Sequence, residues 1–158
     1  MNKKLGYVSL FSSAGVGCHG FNLEGYDCIV TSELIQRRID VQKYNNVCSL
    51  EDGYIAGDIT DPVVHSQIFS AIKNWQKIYK NNEVDVILAT PPCQGISVAN
   101  HKKKDEITRN SLVIESLKII NEILPRYFVI ENVRGFLNTV CTDIDGVIKV
   151  SKKQYIPT

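Results

Sequence analysis

Long hydrophobic runs are missing from this chain, and no window approaches the ~18 uninterrupted apolar residues of a membrane-spanning helix. No membrane partner is expected. Met1-Asn-Lys-Lys leads straight into a strand-like run without the apolar region and small-residue cleavage site of a secretory leader, so a cytoplasmic protein is expected. Cysteines are few, odd in number and scattered (Cys18, Cys28, Cys48, Cys93, Cys141), with no C-x-x-C pair and no histidine cluster at metal-ligand spacing. Neither a disulfide framework nor a metal site is indicated. Charge of one sign is equally scarce: 18 Lys and Arg against 17 Asp and Glu leave a net +1, too little to argue for a polyanionic partner. Local clusters matter more than that sum. Internal repeats and low-complexity tracts are absent as well.

What remains is a chain of 158 residues, 44% apolar and 22% charged, expected to form one domain over 1–158 around one core. Tyr7 to Phe11 reads as a first buried strand, followed by a glycine-rich turn and a short helix ending near Gly25. Cys28 to Glu33 reads as a second strand, Leu34 to Tyr44 as helix, and Ile55 as part of a short third strand closed by Gly57-Asp58. Asp61-Pro62 opens a helix with a capping acid and a proline at its first position. Val64, Ile68, Ala71, Ile72, Trp75 and Ile78 follow at helical spacing, which makes Trp75 a core anchor. Val84 to Ala89 is a fourth strand, Ser111 to Leu124 an amphipathic helix, and Tyr127 to Glu131 a fifth strand. Alternation of this kind predicts an α/β fold, a doubly wound and mostly parallel Rossmann-like sheet with helices on both faces. After Glu131 the pattern thins, and 143–158 reads as a polar tail.

Two stretches carry chemistry. The strand Val84 to Ala89 breaks at Thr90-Pro91-Pro92, and the first reactive side chain beyond the break is Cys93. A thiol at a strand's carboxyl end sits where ligands of open α/β sheets bind, and two prolines restrict the backbone that holds it. Its neighbours Pro92, Gln94, Gly95 and Ser97 are not the companions of a small core residue. Gly15-Val-Gly17-Cys-His-Gly20 matches G-x-G-x-x-G between a strand and a helix, with Glu33 eighteen residues beyond Gly15. The glycines would let a ligand approach the backbone, and an acid after the second strand can accept from two ribose hydroxyls. Asp58 could accept from an adenine amino group between Leu34 and Ile59 as apolar walls, or instead share the capping of the next helix with Asp61. The fingerprint alone does not separate a nicotinamide dinucleotide from S-adenosylmethionine. A nicotinamide-dependent oxidoreductase is thus the competing class. It predicts a histidine, lysine or tyrosine near the fourth strand, where the chain has Cys93.

In its ordered pieces the chain resembles the DNA cytosine-5 methyltransferases. The matching segments are Phe11-Ser-Ser-Ala-Gly-Val-Gly17, Glu33, Gly57-Asp-Ile-Thr60, Pro91-Pro-Cys-Gln-Gly-Ile-Ser97, Arg109-Asn-Ser-Leu112 and Glu131-Asn-Val133. The resemblance implies the methyltransferase form of the Rossmann-like sheet, S-adenosylmethionine as cofactor and double-stranded DNA as partner. It implies Cys93 as the nucleophile that adds to cytosine C6, and Glu131 as the acid on the N3 and N4 edge of the base. Phe11, Gly15, Gly17, Glu33, Leu34, Asp58, Ile59, Pro92 and Leu112 would hold the cofactor. Gln94, Ser97, Lys102, Lys103, Lys104 and Arg109 would meet DNA, the lysines from a mobile loop over 98–109 closing on a flipped base.

Family members also carry a Gln-x-Arg-x-Arg segment after the Glu-Asn-Val strand, a target-recognition region and a terminal helix that completes the cofactor pocket. None of these is in the sequence. The expectation is therefore a domain incomplete at its C-terminus, acting as the catalytic subunit of a split restriction-modification methyltransferase with a second polypeptide. A truncated, inactive cofactor-binding remnant is the alternative. A lone chain of this kind should expose an apolar surface.

Overall fold

The computed structural model describes residues 4–92, 103–134, 136, 141, 142, 149 and 150. Five strands, β1 (Gly6–Leu10), β2 (Asp27–Glu33), β3 (Tyr54–Ala56), β4 (Val86–Ala89) and β5 (Tyr127–Ile130), form one sheet in the order β3-β2-β1-β4-β5. Every pairing in it is parallel. The connecting helices are α1 (Val16–Leu23), α2 (Gln36–Tyr44), α3 (Pro62–Tyr79) and α4 (Lys103–Ile123). Two two-residue strands, β6 (Cys141–Thr142) and β7 (Lys149–Val150), pair antiparallel apart from this sheet.

Side chains alternate across the sheet and feed two apolar layers. Val8 and Leu10 of β1 and Ile87 and Ala89 of β4 pack with Val64, Ile68, Ala71, Ile72 and Trp75 of α3 and Ile119 and Ile120 of α4. Tyr7 and Val86 face the opposite way, toward Cys18 and Phe21 of α1 and the Val47-Cys48 segment. Between Tyr7 and Val8 the β1–β2 register slips by one residue, so that Ile29 is extra and joins the first layer beside Val30. Gly6 accommodates this bulge. A Cβ there would stand 2.7 Å from the Ile29 side chain and 2.8 Å from the Trp75 indole.

Helix α3 starts as its sequence predicts: Asp61 accepts a hydrogen bond from the Val63 N–H at 2.8 Å, with Pro62 in the first turn. Trp75 is fully buried, while Ile78 falls off the buried stripe and is exposed. Buried Asp85, just before β4, accepts from the Gly6 N–H at 2.8 Å and from Arg126 at 3.0 Å, tying β1, β4 and the entry to β5 together.

Four differences separate the described elements from the sequence reading. Helix α2 begins at Gln36 rather than Leu34, because the Glu33 carboxylate accepts the Ile35 N–H and Ile35 stays extended. Strand β4 begins at Val86 rather than Val84. Helix α4 begins at Lys103 rather than Ser111, so 103–109 is helix and not the expected loop. Residues 103–110 contain no glycine or proline to interrupt a helix. The expectation that helices cover both sheet faces fails at the edge strand β5, where Tyr127, Phe128 and Val129 are 66%, 54% and 48% exposed.

The cysteines are less scattered than their positions suggest. Cys18, Cys28 and Cys48 share the α1-side layer, all buried and unbonded, with the Cys28 and Cys48 sulfurs 3.6 Å apart. Burial raises the Cys28 thiol pKa well above its ordinary value, and hydrogen bonding from Cys28 lowers that of Cys18 to about 7. Among the described residues no helix is long and apolar enough to cross a membrane.

Candidate cofactor and catalytic site

In an open parallel sheet the strand order reverses where neighbouring connections run to opposite sides, and the crevice at the strands' carboxyl ends is left open there. Here that point lies between β1 and β4, so the segments leaving them, Phe11–Gly15 and Thr90–Pro92, border the same opening. The Thr90 hydroxyl donates to the Phe11 carbonyl at 3.0 Å and joins the two.

A cleft of about 660 Å³ occupies this end of the sheet. Seven of the nine residues expected to hold a cofactor line it: Phe11, Glu33, Leu34, Asp58, Ile59, Pro92 and Leu112. They come from five separate segments of the chain. Gly15 and Gly17 do not line it. Gly15 caps α1 with φ +86°, a left-handed backbone that glycine adopts without strain. Gly17 keeps α1 close to the sheet, since a Cβ there would lie 3.3 Å from Leu88. Gly20, the third glycine of the fingerprint, has open space around its Cβ position.

Glu33 ends β2 with its carboxylate buried. Oε2 accepts the Ser13 N–H at 2.9 Å, and Oε1 accepts the Ile35 N–H at 3.1 Å and Arg38 Nη1 at 3.0 Å. A carboxylate offers about four acceptor directions, two on each oxygen, so Oε2 keeps room for a hydroxyl donor. Leu34 is exposed and Ile59 buried, and both line the opening. The residues present therefore fit an adenosine group, with an acceptor for a ribose and apolar walls for a flat ring.

Asp58 does not cap α3. Its Oδ1 accepts the Thr60 N–H at 2.9 Å and the Thr60 hydroxyl at 2.8 Å, closing its own turn, while Asp61 alone caps the helix. His65 steadies the same turn by donating from Nε2 to the Ile59 carbonyl at 2.7 Å.

On the other side of the switch point, the Glu131 N–H donates to the Ala89 carbonyl at 3.0 Å, and Asn132 Nδ2 donates to the Pro91 carbonyl at 3.1 Å. The Glu-Asn-Val segment thus abuts the Pro-Pro turn, with Glu131 exposed. Cys93, Gln94, Ser97 and Lys102 lie outside the described residues. Lys103, Lys104 and Arg109 fall within the first two turns of α4. Among the described residues no group of three or more His, Cys, Asp or Glu could hold a metal.

Sequence reasoning missed Arg38, Ser13, Thr60 and Thr90 as lining residues. Thr60 stood inside a quoted motif, and Thr90 immediately before the proline pair. Arg38 lies in the first turn of α2 and reaches Glu33 across the bend at Leu34 and the extended Ile35, and no motif marks it.

The family model of C-5 cytosine-specific DNA methylases matches residues 5–149. The chain is 38% identical over 140 residues to the type II methyltransferase M1.HgaI of Avibacterium volantium, covering 84% of this chain and 36% of that one. It is 32% identical to the type II methyltransferase M.AquIA of Picosynechococcus sp., covering 98% of this chain and 61% of the relative. The chain therefore spans between about a third and three fifths of the length of these curated relatives. A solved structure described as a DNA modification methyltransferase encoded within an E. coli prophage superposes with a TM-score of 0.58 at 25% identity, over 85% of this chain and 33% of that one.

Proposed function

The chain belongs to the family of C-5 cytosine-specific DNA methylases, and from that premise we propose that it transfers a methyl group from S-adenosylmethionine to C5 of cytosine in double-stranded DNA. Family membership sets aside the nicotinamide-dependent oxidoreductase. The observation that carries the proposal is the convergence of Phe11, Glu33, Leu34, Asp58, Ile59, Pro92 and Leu112 on one cleft at the β1–β4 switch point.

When bound, S-adenosylmethionine supplies an electrophilic methyl group on a sulfonium. Glu33 accepts from one ribose hydroxyl through Oε2, Asp58 faces the adenine amino group, Leu34 and Ile59 flank the ring, and Phe11, Pro92 and Leu112 close the cleft. Gly15 and Gly17 act indirectly, by setting the turn and the approach of α1.

Cytosine C5 is a weak nucleophile, and the Cys93 thiolate changes that by forming a bond to C6 and pushing electrons toward C5. A free thiol of pKa ~8.5 is only a few per cent thiolate at neutral pH, so Cys93 acts after losing its proton to its surroundings. C5 would then take the methyl, leaving S-adenosylhomocysteine as the neutral thioether, and loss of the C5 proton to water would expel Cys93 as thiolate. Glu131 hydrogen-bonds the N3 and N4 edge and favours protonation at N3 as charge develops. None of this is possible inside a duplex, so the base is flipped out at a cost of a few kcal/mol. Lys102, Lys103, Lys104 and Arg109 counter phosphate charge, and Gln94 and Ser97 meet the DNA beside the extruded base.

We further propose that a second polypeptide supplies the target-recognition region and the rest of the catalytic fold. Support comes from the exposed apolar strand β5. The test is methyl transfer from labelled S-adenosylmethionine to cytosine-containing duplex DNA, by the chain alone and after co-expression with the neighbouring reading frame. Activity confined to the mixture, and lost with Cys93→Ala, is the expected result. Activity that survives Cys93→Ala would overturn the nucleophile assignment. Absence of both transfer and cofactor binding would leave an inactive remnant.

A further inference from the structure

The turn between β1 and α1 is strained in a particular pattern. Phe11, Ser13 and Gly15 have φ of +57°, +51° and +86°, so left-handed backbone recurs at every second position. Only Gly15 adopts this without a Cβ penalty, and a serine and a phenylalanine remain there only if their surroundings impose it. Glu33 supplies one restraint through the Ser13 N–H. The other comes from the opposite side.

Gln42, in the last turn and a half of α2, is completely buried beneath this segment. Its Nε2 donates to the Ser12 hydroxyl at 2.9 Å and to the Ser13 carbonyl at 2.6 Å. A carbonyl cannot donate, so the amide nitrogen must face Ser13 and the orientation of the side chain is settled. A Cβ at Gly15 would lie 3.2 Å from Gln42 Cγ, so the same side chain also forms the floor of the turn. Gln42 Oε1 is buried with no hydrogen-bond partner among the described residues. An orphan acceptor lowers stability, which makes Gln42 a poor choice for packing alone.

We propose that Gln42 is a positioning residue for the cofactor site, holding Ser13 in left-handed backbone so that Phe11 and Ser13 line the cleft and Glu33 receives the Ser13 N–H. For its ligand this inference rests on the methyltransferase reading, but the strained turn itself does not. Gln42 does not line the cleft. Its effect passes through the turn.

The test joins Gln42→Met, which keeps length and volume, to Ser13→Gly, which makes positive φ inexpensive. Hydrogen exchange at the Ser13 and Gly15 amides and calorimetry with S-adenosylhomocysteine are measured on the full chain for the wild type, both single variants and the double variant. Gln42→Met should speed exchange at both amides and weaken binding, each by about tenfold for the release of one strained residue. Ser13→Gly in that background should bring both back to within about twofold of the Ser13→Gly single variant. Unchanged exchange in Gln42→Met, or a double variant no better than Gln42→Met, overturns the inference. Should Gln42→Met melt the fold, the double variant must raise its melting temperature more than Ser13→Gly raises that of the wild type, and failure to do so also overturns it. If the wild type binds no adenosylhomocysteine while the exchange pattern holds, the cofactor reading fails and the role of Gln42 in the turn stands.

Discussion

Glu33 makes three hydrogen bonds within the chain, and that determines what its loss would do. Glu33→Ala removes the acceptor proposed for the ribose and also strands the Ser13 and Ile35 N–H groups. Adenosylhomocysteine binding should weaken by about 1 to 3 kcal/mol, with a lowered melting temperature beside it. Unchanged affinity by calorimetry would show that the ribose lies elsewhere. Asp85 provides a contrast, being buried and bonded to Gly6 and Arg126 at the opposite ends of the strands. Asp85→Ala should cost about 1 to 3 kcal/mol in urea unfolding, from the unsatisfied Gly6 N–H, with cofactor affinity kept. Loss of affinity matching that at Glu33 would contradict the separation of the two ends. Glu33 and Asp58 are legible in the sequence because each is an acid at the carboxyl end of a strand-like run. Gln42 is not, because its partners Ser12 and Ser13 lie about thirty residues away and only the fold brings them under one side chain.

At the level of elements, β5 is where the sequence reading and the structure part. Tyr127-Phe-Val-Ile reads as a strand buried on both faces, and as a strand it pairs correctly with β4. Burial, however, depends on what is packed over a strand, which its own residues do not state. The exposed side chains alternate between the two faces of the sheet, and among the described residues β5 is an edge of the five-stranded order. Apolar edges of this kind associate with one another or with a partner. Phe128→Lys should therefore reduce self-association of the lone chain in sedimentation velocity and lower co-purification of the proposed second polypeptide. A variant that sediments and co-purifies like the wild type would remove β5 from the interface. Helix α4 shows the converse limit. Its apolar half is readable from periodicity, but its charged beginning over 103–110 carries no apolar stripe and reads as loop.

For the whole molecule, the all-parallel order β3-β2-β1-β4-β5 puts the turn after β1 and the turn after β4 side by side although they lie nearly eighty residues apart. Alternating strands and helices made that arrangement readable, since right-handed crossovers leave few other orders. A ligand that bridges the two turns should stabilise the fold as a unit. At a hundred times its dissociation constant, adenosylhomocysteine should add about 2.7 kcal/mol and raise the melting temperature, while a nicotinamide dinucleotide should do neither. The reverse ranking would contradict the assignment of the cleft.

The buried layer beneath β2 has a consequence at the bench. Three of the five thiols are shielded by folding, those of Cys18, Cys28 and Cys48. Alkylation with iodoacetamide under native conditions should spare these three, whereas the unfolded chain takes up label at all five. Inactivation by a thiol reagent can therefore be traced to one of two positions by peptide mass, without first mutating the others away.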